Sequence, residues 1–302
     1  MINSKKILIT DRLLISWIRC KRKAWLDKFE SHKFRRWSAH RSLQLDHQHK
    51  SLLAFCTEDV GRGLNATQRG VSNVIGVRLK GNSQEGYPLE AHPLLIQKIN
   101  GKSRLGSYEY RPVIARQGKN LTRANKLSIA MSALLLEQFQ DSPVKEGVVI
   151  SLIRNRLEID NLLITNKLKS NLKDSFVKLK IDLEKGEMPP IISDRKKCMV
   201  CSWKEYCNKE ALEKGEITEV SGIGSKRKEL LNSIGILNIK QLALSNSKDL
   251  DFKLNSHKKN HGIISSLIIN QAKAQVNLQP SRVTTKKVLP EIDKSNGILI
   301  YD

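Results

Sequence analysis

Four cysteines could do chemistry together: Cys20 stands alone near the start, and Cys198, Cys201 and Cys207 follow far downstream as C-x2-C-x5-C. Thiolates are soft ligands that suit iron-sulfur clusters and zinc, and a site drawn from both ends of a segment clasps everything between them. Structural zinc sites usually draw on two close pairs, so one remote ligand favours a 4Fe-4S cluster. Zinc is the runner-up, and unligated buried cysteines are the third reading. Trp203 and Tyr206, between the ligands, either shield a metal from water or simply pack.

A second pattern can bind phosphate. The run Ile217-Thr218-Glu219-Val220-Ser221-Gly222-Ile223-Gly224-Ser225-Lys226-Arg227 reads as a helix-hairpin-helix, with Leu230, Leu231, Ile234 and Ile236 as the apolar face of its second helix. Gly222 and Gly224 allow a tight turn at a helix N-terminus, where backbone N–H groups can meet a phosphate while Lys226 and Arg227 add charge. Such contacts bind the backbone and carry little base information. The plain alternative is an ordinary pair of antiparallel helices. Lys258, Lys259 and Lys273 extend the basic track.

The charge of the whole chain agrees with a polyanionic partner. Lys and Arg outnumber Asp and Glu by 53 to 30, giving a formal charge of +23 and a pI near 9.9. Such an excess speeds encounter with nucleic acid, which we expect to be DNA. No apolar run approaches the roughly 18 residues that span a bilayer, and the N-terminus reaches Asp11 and Arg12 before any signal-like stretch. Five cysteines, odd in number and unevenly spaced, do not make a secreted disulfide framework. The expected location is therefore the cytoplasm, with no membrane partner.

Helical spacing of Leu13, Leu14, Trp17, Ile18, Trp25 and Leu26 predicts a helix over 10–29 with Cys20 riding on it, capped by Thr10 or Asp11. A second helix is predicted over 38–55, carrying His40, His47 and His49, with Cys56 just past its end. From 61 to 118 short apolar runs such as VIGVRL, PLLIQKI and YEYRPVIAR are broken by glycine-bearing turns and read as strands. The helix ANKLSIAMSALLLEQF, the strand GVVISLI and a long basic helix over 166–185 follow, the last stopped by Gly186 and the Pro189-Pro190 pair. Helix, strands, helix, strand, helix is the order of an α/β domain with a mixed sheet.

The expected organisation is an α/β domain over 1–214, the helix-hairpin-helix region over 215–276, a linker over 277–296 and a lone strand at 297–302, Gly297-Ile298-Leu299-Ile300-Tyr301-Asp302. A single apolar strand has no partner here, so the chain reads as cut where another domain begins.

The stretches TDRLLISWIRCKRKAWLD and CMVCSWKEYC resemble the RecB-like nucleases with an iron-sulfur staple, including the AddB and CRISPR-associated branches. The resemblance is greatest to members in which a helix-hairpin-helix and then an RNase H-like exonuclease domain follow. It implies a PD-(D/E)XK fold, a restriction-endonuclease-type mixed sheet flanked by helices, followed by a small all-α domain. It also matches Cys20, Cys198, Cys201 and Cys207 one for one to cluster ligands, and makes Tyr301-Asp302 the opening of the next domain.

Such nucleases need carboxylates to hold Mg2+ or Mn2+ and a lysine to steady the attacking water. The resemblance places the metal-binding aspartate on Leu94, the second acid on Ile114, the lysine on Arg116, and the glutamine and tyrosine of the following helix on Ser128 and Ser132. Arginine stays protonated and serves poorly as a water-activating group. A family histidine can be matched to His47. A shifted site would use Glu90 and Glu109 with Arg111, but that strand contains no lysine.

We therefore expect a DNA-associated protein of the RecB-like nuclease family whose own hydrolytic site is degenerate. It would bind the nucleic-acid backbone through a basic surface and the helix-hairpin-helix, with a helicase or exonuclease partner left open. Two alternatives stand beside this: an active metal-dependent DNA nuclease with shifted motifs, and a structural or partner-binding module without a DNA role.

Overall fold

Thr10 ends a two-residue strand, β1 (Ile9–Thr10), and its Oγ1 accepts the Leu13 N–H at 3.0 Å, which starts helix α1 (Asp11–Arg19). These coordinates are a computed structural model, which describes residues 7–36, 39–116, 118, 120–256 and 264–280. The single helix expected over 10–29 is two. Cys20 is extended, with φ −162° and ψ 118°, and it both ends α1 and caps α2 (Lys21–Phe29), its Sγ accepting the Lys23 N–H at 3.4 Å. The apolar spacing runs through the break undisturbed, so nothing in the periodicity marks it.

A 3-10 turn (His32–Phe34) precedes α3 (Ala39–Phe55). Then come β2 (Val60–Arg62), α4 (Asn65–Gln68), β3 (Asn73–Ile75), β4 (Leu79–Asn82), β5 (Pro88–Ala91), β6 (Leu95–Ser103) and β7 (Gly106–Ala115). The VIGVRL run is not one strand. Gly76 adopts φ +65°, open to glycine at little cost, and turns the chain between β3 and β4, which lie in different sheets.

Helix α5 (Arg123–Gln140) begins at a capping box between Thr122 and Asn125 and leads to β8 (Glu146–Ile153). A two-residue turn at Arg154 and Asn155, both with positive φ, then joins β8 to β9 (Arg156–Leu163), a strand not anticipated from sequence. Helix α6 (Asn166–Glu184) completes this part.

Two mixed sheets result, one ordered β1-β5-β4 and one ordered β2-β3-β6-β7-β8-β9. β7 and β8 are parallel, as the crossover through α5 requires, and pair Val113 with Val148. One face of the larger sheet buries Ile114 and Val149 with Leu127, Ile129 and Met131 of α5. The opposite face buries Leu95, Val113, Val148 and Ile150 beneath Leu52 and Phe55 of α3. The described chain is thus a mixed α/β protein whose sheets are flanked by helices.

The chain divides into two compact units. The first holds the residues up to Ile192 together with Lys197–Cys207; the second holds Ser193–Lys196 and the described residues from Asn208 onward. Helix α7 (Lys204–Glu213) runs from one stretch into the next. The rest of the second unit is helical: a 3-10 turn (Ile217–Glu219), α8 (Ser225–Ser233), α9 (Ile239–Leu244), α10 (Ser247–Ser256) and α11 (Ser265–Asn277). It has its own core around Ile217, Val220, Leu231, Leu242 and Ile268. The expected linker begins with Asn277 still inside α11, and its part from 281 lies outside the described residues, as do Lys258, Lys259 and the strand at 297–302. Among the described residues no helix is long and apolar enough to cross a membrane.

Candidate metal centre

Cys20 is placed by the break between α1 and α2, which puts its sulfur at the N-terminus of a helix. The other three cysteines lie on a tight local path. The Cys201 N–H donates to the Cys198 carbonyl at 3.0 Å, Lys204 N–H to the Cys201 carbonyl at 3.1 Å, and Cys207 N–H to the Trp203 carbonyl at 3.0 Å. These turns fold the C-x2-C-x5-C run into a compact knuckle leading into α7.

The knuckle is held against α2 by polar and apolar contacts. Trp203, fully buried, donates its indole N–H to Asp27 at 2.7 Å, and the Tyr206 hydroxyl donates to Glu30 at 3.0 Å. Arg36 N–H donates to the Ser202 carbonyl at 2.9 Å, and Arg35 Nε to the Ser202 hydroxyl at 3.1 Å. Cys207 and Trp203 share a buried cluster with Leu26, lined by Trp25, Met188, Cys201 and Tyr206. Trp203 and Tyr206 thus form the wall of the site and also its attachment.

Burial opposes the charge on Asp27, but the Lys23 ammonium and hydrogen bonds from Lys23, Trp203 and Ser16 outweigh it, holding the carboxyl below its ordinary range. Burial pushes the Cys201 thiol up; the Trp203 N–H and Lys23 oppose this, while Cys207 and Cys20 add to it. Cys20 and Cys207 thus both bear on Cys201.

The donor chemistry suits a thiophilic group: four thiols, an apolar aromatic wall, and nearby carboxylates already engaged by Trp203, Tyr206 and Lys23. The four sulfurs are not drawn into one ligating set, however. Among the described residues no group of three or more His, Cys, Asp or Glu is arranged to hold a metal ion.

The positions matched to a hydrolytic site contain no acid. Leu94 packs on the α3 side of the larger sheet, whereas Ile114 is buried on the α5 side. Arg116, with its side chain 3% exposed, reaches Glu158 at 3.1 Å and Asp160 at 2.9 Å on β9 and also donates to the Gly118 carbonyl. Ser128 and Ser132 are buried on α5, and the Ser132 hydroxyl donates to the Ser128 carbonyl of its own helix at 3.1 Å. His47 Nε2 donates to the Leu152 carbonyl at 2.9 Å and so ties α3 to β8.

The shifted set is not brought together either. Glu90 lies on β5 of the smaller sheet, held by Arg78 at 2.8 Å and His92 at 3.0 Å. Glu109 lies on β7 of the larger sheet and accepts from Ser142, while Arg111 engages Gln97 and Glu146. The hydrogen bond from Arg78 holds the Glu90 carboxyl low against the opposing effect of burial.

Sequence reasoning missed the polar pins around this region. His92 Nδ1 meets Asp11 at 3.1 Å, and the His92 backbone N–H donates to the same carboxylate at 3.1 Å, so one imidazole bridges the buried carboxylates of Asp11 and Glu90. The Asp27–Trp203 and Glu30–Tyr206 bonds were also unforeseen. Asp27 near the end of α2 and Glu30 just past it, three apart, meet a Trp and a Tyr three apart on the other segment, a match that only the folded chain reveals.

In the second unit, Gly222 has φ +84° and Gly224 stands at the N-cap of α8. A side chain built at Gly224 would meet nothing within 4 Å, and no side chain caps α8, which leaves the first-turn N–H groups without a capping oxygen. The helix before the hairpin is only the 3-10 turn Ile217–Glu219. Arg227 donates to the Gly222 carbonyl at 2.6 Å, so it braces the turn.

No family model and no curated protein matches the chain. Among solved structures, "Crystal structure of SSO0001" is similar over 69% of this chain and 89% of its own, at 11% identity and a TM-score of 0.41.

Proposed function

We propose that this is a nucleic-acid-binding protein of the RecB-like nuclease type, stapled by a 4Fe-4S cluster on Cys20, Cys198, Cys201 and Cys207 and devoid of hydrolytic activity in its α/β unit. The observation that carries the reading is the docking of the C-x2-C-x5-C knuckle onto the helix that Cys20 caps, through Trp203–Asp27 and Tyr206–Glu30. Chain segments far apart in sequence are thereby joined where the thiols lie. When bound, a cluster supplies four iron–thiolate bonds and a covalent link between the ends of the unit.

The loss of hydrolysis is supported by Arg116, which is buried and paired with two carboxylates at the position where a nuclease needs a lysine. Leu94 and Ile114, on opposite faces of the sheet, offer no metal ligand. DNA affinity is supported by the charge of +23 and by the uncapped N-terminus of α8 behind Gly222 and Gly224, with Lys226 beside it. Iron and sulfide content with an absorbance spectrum on anaerobically purified protein tests the cluster; zinc without iron refutes it. Incubation with linear DNA and Mg2+ or Mn2+ tests the inactivity, and cleavage lost on Glu90→Ala or Glu109→Ala would favour the shifted site. Absence of DNA retardation at low salt would favour a module with no DNA role.

A further inference from the structure

Strand β9 ends the larger sheet, and among the described residues no strand pairs with its outer side. The other sheet edges, β1, β2 and β4, are two, three and four residues long, short enough to offer a neighbouring chain little to pair with. β9 is different: it runs for eight residues in unbroken register with β8 and contains no glycine, proline or bulge that would discourage another strand. The Ile164 N–H donates to the Lys145 carbonyl at 2.8 Å, and alternation along an antiparallel ladder then turns the backbone groups of Leu157, Ile159 and Asn161 away from β8. Ile159 is 52% exposed on this edge.

The charged side chains of this edge select what can pair with it. Arg154 and Arg156 are exposed at its start, and Glu158 and Asp160 follow. Both acids accept from Arg116, yet their side chains remain 43% and 50% exposed and open to a second cation. An antiparallel strand suited to this order carries acids where β9 carries arginines and arginines where β9 carries acids, which is β9 itself read in reverse. With two copies centred on Leu157, Arg156 of each stands opposite Glu158 of the other, Arg154 of the turn comes to Asp160, and Leu157 meets its counterpart with Ile159 on the diagonal. Centring on Ile159 instead sets Glu158 opposite Asp160, like charge against like, so the charges fix the register.

We propose that β9 is an interaction surface for a second copy of this chain, the two joined edge to edge as an antiparallel, two-fold pair centred on Leu157. Every contact then occurs twice, as a self-complementary interface requires. The pairing needs neither the cluster nor nucleic acid, so it stands or falls apart from the function proposed above.

The test uses the full chain, freed of nucleic acid by nuclease treatment and a high-salt wash, then returned to low salt for sedimentation velocity over a concentration series. A contact of one short strand should dimerise with a Kd of about 1–100 μM and weaken as salt is raised. Arg154→Glu together with Arg156→Glu sets acid against acid at exposed positions and should weaken dimerisation by about tenfold or more. Ile159→Lys, which puts a charge at the seam, should weaken it to a similar degree. Lys126→Glu together with Lys178→Glu makes the same charge change elsewhere and should leave the dimer intact. A native chain that stays monomeric throughout the series overturns the proposal. So does a dimer that persists unchanged in the arginine and Ile159 variants, each shown to be folded by circular dichroism, or one that the lysine control weakens equally.

Discussion

Trp203 donates its indole N–H to Asp27 at 2.7 Å, and three residues further along each segment Tyr206 donates to Glu30 at 3.0 Å. Both bonds join the N-terminal helices to the cysteine knuckle, and the first lies within a buried aromatic cluster. Removing the acceptor leaves a buried donor without a partner, which costs about 1–3 kcal/mol. Asp27→Ala should therefore lower stability to urea by that amount, whereas Glu30→Ala, at a more exposed site, should cost less.

The same pair sets a dependence on acidity. The folded Asp27 carboxyl titrates below its ordinary value, so its contribution is fully present above about pH 4 and is lost as pH falls through the depressed folded pKa. Urea midpoints measured from pH 6 downward should fall in that acid window, and the fall should be shallower in Asp27→Asn. An equally steep profile in the variant would assign the effect to other low-titrating acids such as Glu90.

The buried guanidinium of Arg116 gives a prediction about activity and one about stability. Arg116→Lys introduces the residue type that nucleases of the proposed kind use, yet it should yield no cleavage with Mg2+ or Mn2+, because Leu94 and Ile114 supply no carboxylate. Arg116→Ala should destabilise by about 1–2 kcal/mol, less than a fully buried pair, since Glu158 and Asp160 are near half-exposed and water offsets part of the loss.

Gly147 on β8 lies under Ile129 of α5, where an added methyl would come within 2.5 Å of Ile129 Cδ1 and 3.2 Å of the Pro112 carbonyl. Gly147→Ala should cost about 1–3 kcal/mol by overpacking, seen as a lower thermal midpoint. Ile129→Val in the same background should recover part of it.

If the proposed cluster is bound, its loss should loosen the α/β unit without unfolding the helical one. Cys20→Ala and Cys207→Ala are each expected to purify without iron and to become sensitive to proteolysis around 20–36, whereas Cys56→Ala should keep its iron. A Cys20→Ala protein that retains full iron and sulfide would remove Cys20 from the ligand set.

The α/β order and most helix positions were legible in sequence because apolar periodicity and capping residues such as Thr10 and Thr122 state them locally. Breaks that depend on a single backbone angle were not. Cys20 interrupts a continuous apolar face, and the β8–β9 hairpin turns on Arg154 and Asn155 without the glycine that usually announces such a turn. The cysteines themselves were legible by spacing, but what holds their two segments together was not, since Asp27 and Glu30 look like ordinary surface acids among lysines.

The paired contacts of Asp27 and Glu30 also impose a schedule. Each spans 176 positions of sequence, and at a synthesis rate of about 5–20 residues per second the partner arrives roughly 10–35 s after the acids are made. During that interval α2 carries its lysines, its acids and the Cys20 thiol without the knuckle to close over them. Maturation therefore has a natural checkpoint late in translation, when the knuckle emerges and seats, and a ribosome that stops short of it releases a chain with an unguarded Cys20.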